Sequence, residues 1–96
     1  MREIIEINRN QIEELINSDI YSCSIIDVRE KEEFVDFNIG GLNIPAHEVT
    51  GKIEFLEKFE KLIIVCSNGM RSSIMARVLL KKLKNPQIMH LTEGIF

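Results

Sequence analysis

Cys66 is the residue of this chain best placed for covalent chemistry. It closes the apolar run Leu62-Ile63-Ile64-Val65, and Ser67, Asn68, Gly69, Met70 and Arg71 follow before a helical pattern is under way. A loop between a buried strand and a helix can turn successive backbone N–H groups inward as an anion nest. The helix start adds partial positive charge and free donors. Asn68 and Gly69 tolerate the left-handed backbone that such a loop needs, and Arg71 adds a fixed positive charge. Each feature favours a thiolate over a thiol. A free cysteine at a strand end is more often a small buried apolar residue. The glycine-containing loop, the arginine and the helix start together reverse that reading.

The other chemistry-bearing side chains read as structural. Asp27 ends an apolar strand, where a carboxylate can hold nearby loop N–H groups or Arg29. Arg29 and Glu33 are four apart and can pair at a helix start. Cys23, 43 residues before Cys66, reads as core or edge filler rather than as a resolving partner. His47 reads as an exposed loop residue and His90 as a structural residue of the last strand. Lys81, Lys82 and Lys84 complement the dipole of a helix end.

The elements that must position Cys66 follow from periodicity. Residues 3–7, 24–28, 62–66 and 87–91 read as strands, the third with no polar alternation and therefore buried on both faces, as in a central parallel strand. Helices are expected from about residue 8 to 17, over 30–36, over 51–59 with Ile53, Leu56 and Phe59 inward, and over 71–84 with Ile74, Val78 and Leu79 inward. Residues 37–45, with Gly40, Gly41 and Pro45, read as a loop or a short extended piece. Strands alternating with helices predict an α/β fold whose mostly parallel sheet is covered by helices on both faces.

Composition narrows the function classes. The chain has 96 residues, one domain's worth, with 45% apolar and 28% charged residues. Its net charge of −3 and 6% aromatics, with no Trp, argue against a nucleic-acid interface, which needs a basic face. No apolar run approaches the roughly 20 residues of a membrane span. Two cysteines make no disulfide framework and no zinc spacing. A reducing cytoplasm, no metal, no cofactor and a monomer are the expectations.

The segment Val65-Cys66-Ser67-Asn68-Gly69-Met70-Arg71-Ser72-Ser73 resembles the active-site loop of the rhodanese-like sulfurtransferases, usually a cysteine, two variable residues, a glycine, one variable residue, an arginine and a serine. Ile25-Ile26-Asp27-Val28-Arg29-Glu30, followed by Glu32-Glu33-Phe34, is similar to that family's apolar strand ending in Asp-Val-Arg. Ile39 to Pro45 is similar to its Gly-His-Ile-Pro-Gly-Ala-x-Asn-Ile-Pro run, and Leu91-Thr92-Glu93-Gly94-Ile95 resembles its closing Leu-x-Gly-Gly-Ile. The matches run in family order from about residue 24 onward. Asn38, Gly40, Leu42 and Glu93 depart from the pattern, all within scaffold motifs.

The resemblance implies a single rhodanese-like domain over residues 1–96, with about five strands. It implies a sulfurtransferase whose Cys66 attacks the sulfane sulfur of a small anionic donor such as thiosulfate and carries it as a persulfide. Cyanide, a thiol or a sulfur-relay protein then accepts it. Ser67, Asn68, Gly69, Met70, Arg71 and Ser72 would surround the sulfur. Arg71 is expected to bind the donor anion; the alternative is a salt bridge that holds the loop. Ser67 and Ser72 could bond the persulfide or cap the helix. Asp27 and Arg29 would support the site from behind. Related phosphatases carry one more loop residue, C-x5-R, to admit a phosphate; C-x4-R here implies sulfur transfer. A sulfur-carrier module working with a protein partner is the alternative, and a cysteine-dependent phosphatase or arsenate reductase a further one.

Overall fold

The structure is a computed structural model that describes residues 2–18 and 23–96. Its elements, in chain order, are β1 (Ile5–Ile7), α1 (Arg9–Ser18), β2 (Cys23–Asp27), α2 (Lys31–Asp36), β3 (Leu42–Asn43), a 3-10 helix (Ala46–Lys52), α3 (Ile53–Leu56), β4 (Lys61–Val65), α4 (Met70–Lys82) and β5 (Gln87–Leu91). The five strands form one sheet in the order β1-β5-β4-β2-β3, and every pairing is parallel. β4 lies at the centre, paired residue for residue with β2 (Ile63 beside Ile25) and with β5 (Ile63 beside Met89). Leu62, Ile63, Ile64 and Val65 are all fully buried, because a strand with neighbours on both edges and helices on both faces has no side to show to water.

The sheet's two faces have separate apolar cores. α1 covers one with Ile12, flanked by Leu15 and Ile16, against Ile7, Ile25, Ile63, Val65, Met89 and Leu91. The other is covered by Val49 of the 3-10 helix, Leu56 of α3, and Met75, Ala76 and Leu79 of α4, over Ile26, Leu62, Ile64 and Ile88. The alternation of β5 sorts its residues between the two: Ile88 and His90 toward α4, Met89 and Leu91 toward α1.

Several expected boundaries shift. The loop after α2 contains the two-residue strand β3, and the helix expected over 51–59 is a 3-10 helix that runs into a single α turn. His47 lies in that 3-10 helix rather than in a loop, but its side chain is 66% exposed. On α4 the inward face is Ser72, Met75, Ala76 and Leu79, with Ile74 60% exposed. The expectation that Ile74 faces the core is therefore corrected by one residue's rotation, because the helix begins with Met70 and presents Ser72 and Met75, three apart, to the sheet. Cys23 opens β2 beside Lys61, at the sheet edge opposite Cys66. Along a strand rising about 3.3 Å per residue, its backbone sits far beyond the roughly 7 Å limit between disulfide-linked Cα atoms. Its side chain lies outside the described residues.

Candidate active site

Cys66 is the first residue beyond β4, at the carboxyl edge of the sheet, and is 0% exposed. Three donors converge on its sulfur: the N–H of Gly69 at 3.1 Å, the N–H of Ser72 at 3.3 Å and the hydroxyl of Ser72 at 3.2 Å. The loop that carries them depends on two glycines. Gly69 has φ +90°, and a Cβ there would stand 2.2 Å from the carbonyl oxygen of Thr92. Gly94 has φ +79°, and a Cβ there would stand 2.2 Å from the carbonyl oxygen of Ser67. The closing turn thus packs backbone to backbone behind the loop. It is tied there by the N–H of Ile95, which donates to the carbonyl of Cys66 at 3.0 Å, and that of Phe96, which donates to Ser67 at 3.4 Å. Asn68 finishes the turn by accepting the Met70 N–H on its side-chain oxygen at 3.1 Å, an Asx turn that opens α4.

Burial pushes the Cys66 thiol up, but the hydroxyl and N–H of Ser72 and the N–H groups of Asn68 and Gly69 outweigh it and bring the thiol below its ordinary 9.0. The thiolate is therefore held mainly by neutral dipoles aimed at one atom.

Arg71 is engaged by an acid of α2. Its guanidinium makes a two-pronged ion pair with Glu33 of α2, at 2.7 and 2.9 Å, and reaches the Ser67 hydroxyl at 3.4 Å. The salt bridge weighed as one of its two roles is present. Glu33 also accepts the Glu30 N–H at 3.0 Å at the start of α2. The Arg71 guanidinium first, and that N–H second, draw its carboxyl down from 4.5 to about 2; Glu33 in turn raises Arg71. The expected pairing of Arg29 with the Glu33 carboxylate is corrected, because that carboxylate is taken by Arg71.

Arg29 pairs with Asp27 instead. The two are almost wholly buried, with the Arg29 Nε 3.0 Å and one terminal nitrogen 2.8 Å from the Asp27 oxygens. The same nitrogen reaches the Phe37 carbonyl at 2.6 Å, and the Asp27 carboxylate also accepts the Arg29 N–H at 3.1 Å. This pair fastens the end of β2 to the end of α2, which places Glu33 where Arg71 can reach it. Of the remaining loop residues, Ser67 is half-buried and Met70 exposed, at the rim around the sulfur.

One site feature was not anticipated. His90 is 3% exposed, yet its Nε2 lies 2.8 Å from the Ser72 hydroxyl and its Nδ1 2.7 Å from Glu6 of β1. The sequence signal is slight. Glu6 and His90 are 84 residues apart and meet only because β1 and β5 pair in parallel with these two residues in register.

A buried cysteine at the carboxyl edge of a parallel α/β sheet, cradled by the Gly69 amide and by the amide and hydroxyl of Ser72, defines a class of anion-stabilised thiol site. The model of the rhodanese-like domain matches residues 8–96, and the chain belongs to that family. It is 35% identical over 80 residues to "Putative sulfur carrier protein YrkF" of Bacillus subtilis (strain 168), covering 82% of this chain and 43% of that one; the chain thus spans less than half the length of this relative. Among solved structures, a rhodanese-related protein from Thermoplasma volcanium superposes with a TM-score of 0.79 at 27% identity, covering 95% of this chain and 86% of the other. A single domain sulfurtransferase from Saccharomyces cerevisiae gives 0.75 at 19% identity, covering 99% and 88%; at that identity the likeness is one of fold. No helix among the described residues is long and apolar enough to cross a membrane.

Proposed function

We propose that this domain is a sulfurtransferase that moves sulfane sulfur through a persulfide on Cys66. The observation that carries this reading is the convergence of three hydrogen-bond donors on the Cys66 sulfur, within 3.1–3.3 Å. The thiolate attacks the outer sulfur of a donor such as thiosulfate. A sulfur–sulfur bond forms to Cys66, the donor's own sulfur–sulfur bond breaks, and sulfite leaves with the electron pair. The amides of residues 67–72 then hold the persulfide's negative charge, as an oxyanion hole holds oxygen. Cyanide or a thiol attacks the terminal sulfur and returns the thiolate. Arg71, held by Glu33, keeps the loop closed around the sulfur, and the Asp27–Arg29 pair supports it from behind. A thiol that must stay free suits a reducing cytoplasm.

The test is mass spectrometry after incubation with thiosulfate. One added sulfur is expected, lost on adding cyanide and absent in Cys66→Ser. No added sulfur from any of several donors would remove the reading.

A second reading is a sulfur carrier that takes sulfur from a protein. Met70 and Ile74 on the first turns of α4 are exposed, as are Phe37 and Phe96, whose rings lie tilted with centroids 5.3 Å apart. Such apolar side chains suit a protein face better than a small anion. It is supported if a cysteine desulfurase loads Cys66 while thiosulfate does not.

A further inference from the structure

Four side chains from four segments line up between the buried sulfur and the sheet edge. The Cys66 sulfur is 3.2 Å from the Ser72 hydroxyl, that hydroxyl 2.8 Å from His90 Nε2, and His90 Nδ1 2.7 Å from the Glu6 carboxylate. The first three are buried; Glu6 is 54% exposed and lines a cleft of about 430 Å³ together with Asn8, Gln11, Thr92 and Glu93. Thr92 donates its hydroxyl to the same Glu6 oxygen at 2.8 Å, which fixes the carboxylate against the ring. The row therefore has one end at the nucleophile and the other at water.

We infer that Ser72, His90 and Glu6 form a proton relay that takes the proton of Cys66 and leaves it on the imidazole. This rests on Cys66 being the sulfur nucleophile and names what activates it. The valences allow two arrangements. Glu6, a carboxylate, only accepts, so Nδ1 carries a hydrogen in both. In the first, the thiol donates to the Ser72 oxygen, and the Ser72 hydroxyl donates to a bare Nε2. In the second, the sulfur–hydrogen bond has broken, its proton has joined the Ser72 oxygen, and the Ser72 proton has passed to Nε2. Ser72 now donates to the thiolate, and the Nε2–H donates to Ser72. The total charge of Cys66, His90 and Glu6 is the same in both, and no other reactant is needed. The second arrangement gives the sulfur its hydroxyl donor and sets an imidazolium beside a carboxylate.

His90 and Glu6 act through Ser72 and do not touch the sulfur, so they are positioning residues. The charged groups around the row are Glu6 from β1, Glu93 from the closing turn, Cys66 itself and Arg71, whose charge Glu33 neutralises.

The experiment follows the thiolate by its ultraviolet absorbance and His90 by its imidazole nitrogen chemical shifts, over pH, in the wild type and in Glu6→Gln, Ser72→Ala and Cys66→Ser. Glu6→Gln changes a half-exposed side chain and keeps the fold testable if Ser72→Ala does not fold. In the wild type, His90 is expected to be imidazolium over the pH range in which Cys66 first becomes thiolate, before the imidazolium loses its own proton at higher pH, and Cys66→Ser is expected to return it to the neutral form in that range. Glu6→Gln is expected to raise the thiolate midpoint by about one pH unit, a roughly tenfold loss of iodoacetamide reactivity below both midpoints. A His90 that stays neutral where Cys66 first ionises, or an unchanged midpoint in Glu6→Gln, overturns the relay. Neither readout involves sulfur transfer, so failure of the relay and failure of the sulfurtransferase reading are separately visible.

Discussion

Gly94→Ala tests whether the closing turn shapes the sulfur cradle. Residue 94 makes no contact with the sulfur, but it lies behind the loop with φ +79°. A Cβ there would stand 2.2 Å from the carbonyl oxygen and 2.5 Å from the carbonyl carbon of Ser67, and 2.6 Å from the Asn68 Cα. All three are backbone atoms, so no side-chain rotation relieves the clash. The loop must retreat by roughly 1 Å to reach ordinary contact. The left-handed conformation of an alanine costs about 1–2 kcal/mol. Losing the two bonds that tie the turn to Cys66 and Ser67 costs about 1 kcal/mol each. The expected destabilisation is about 3–4 kcal/mol, and the melting temperature should fall by about 12–30 °C for a domain of this size. The same retreat pulls the Gly69 and Ser72 amides off the sulfur. Weakening one charge-assisted bond of about 1.5–3 kcal/mol moves the thiol up by about one to two pH units. Calorimetry reads the first effect and the pH dependence of iodoacetamide alkylation the second. A melting temperature within a few degrees of the wild type, with an unchanged alkylation midpoint, would refute the backing role of the turn.

Arg29→Met should cost about 3–5 kcal/mol by urea denaturation, since it leaves the buried Asp27 carboxylate unpaired, and Asp27→Asn in the same chain should recover most of that loss. Glu33 has a carboxyl lowered to about 2, so its pairing stabilises the fold fully above pH 4.5 and is lost as the pH falls from there through 2. Because both partners are more than a third exposed, the wild-type advantage over Glu33→Gln should be under about 1 kcal/mol at pH 6 and vanish near pH 2. The same variant releases the Arg71 charge, so its KM for thiosulfate should fall if that salt is a donor; an unchanged KM would mean Arg71 cannot swing toward the site. Cys66 is lowered relative to an unfolded thiol, so the wild type should gain stability over Cys66→Ala as the pH rises through the folded thiol's midpoint toward 9. Parallel denaturation curves across that range would show that the thiolate is not held.

What was legible in the sequence is what depends on local pattern. The unbroken Leu62 to Cys66 run meant burial on both faces, and β4 is the central strand. The glycine and arginine after Cys66 meant a turn into a helix, and α4 begins at Met70. What was hidden depends on register between distant segments. The rotation of α4 that exposes Ile74 and turns Ser72 inward is one residue's worth of angle, and side chains of similar polarity flank it. Glu6 alternates with Ile5 and Ile7 in a strand read from its β-branched residues, which says nothing about the histidine it will face. Glu33 sits four residues from Arg29 and 38 from Arg71; helical spacing favoured the near partner, and Asp27 took it first through a shorter span of chain.

The disposition of charge around Cys66 bears on what the site can accept. Arg71 is the only cation in the loop, and its charge is cancelled by Glu33 at 2.7 Å. The sulfur is stabilised instead by amide and hydroxyl dipoles within 3.3 Å. Dipole fields fall off faster with distance than the field of a bare charge, so the cradle favours negative charge on the bound sulfur and exerts little pull beyond it. That suits the single charge of a persulfide formed in place. It gives less advantage to a free dianion, which must leave its water shell to approach. A donor that arrives bound to a protein sheds that cost through the rest of its contact surface, and the exposed Met70, Ile74, Phe37 and Phe96 supply apolar area for such a contact. On the proposed role of Cys66, this disposition of charge supports the second reading, in which the sulfur is delivered by a protein.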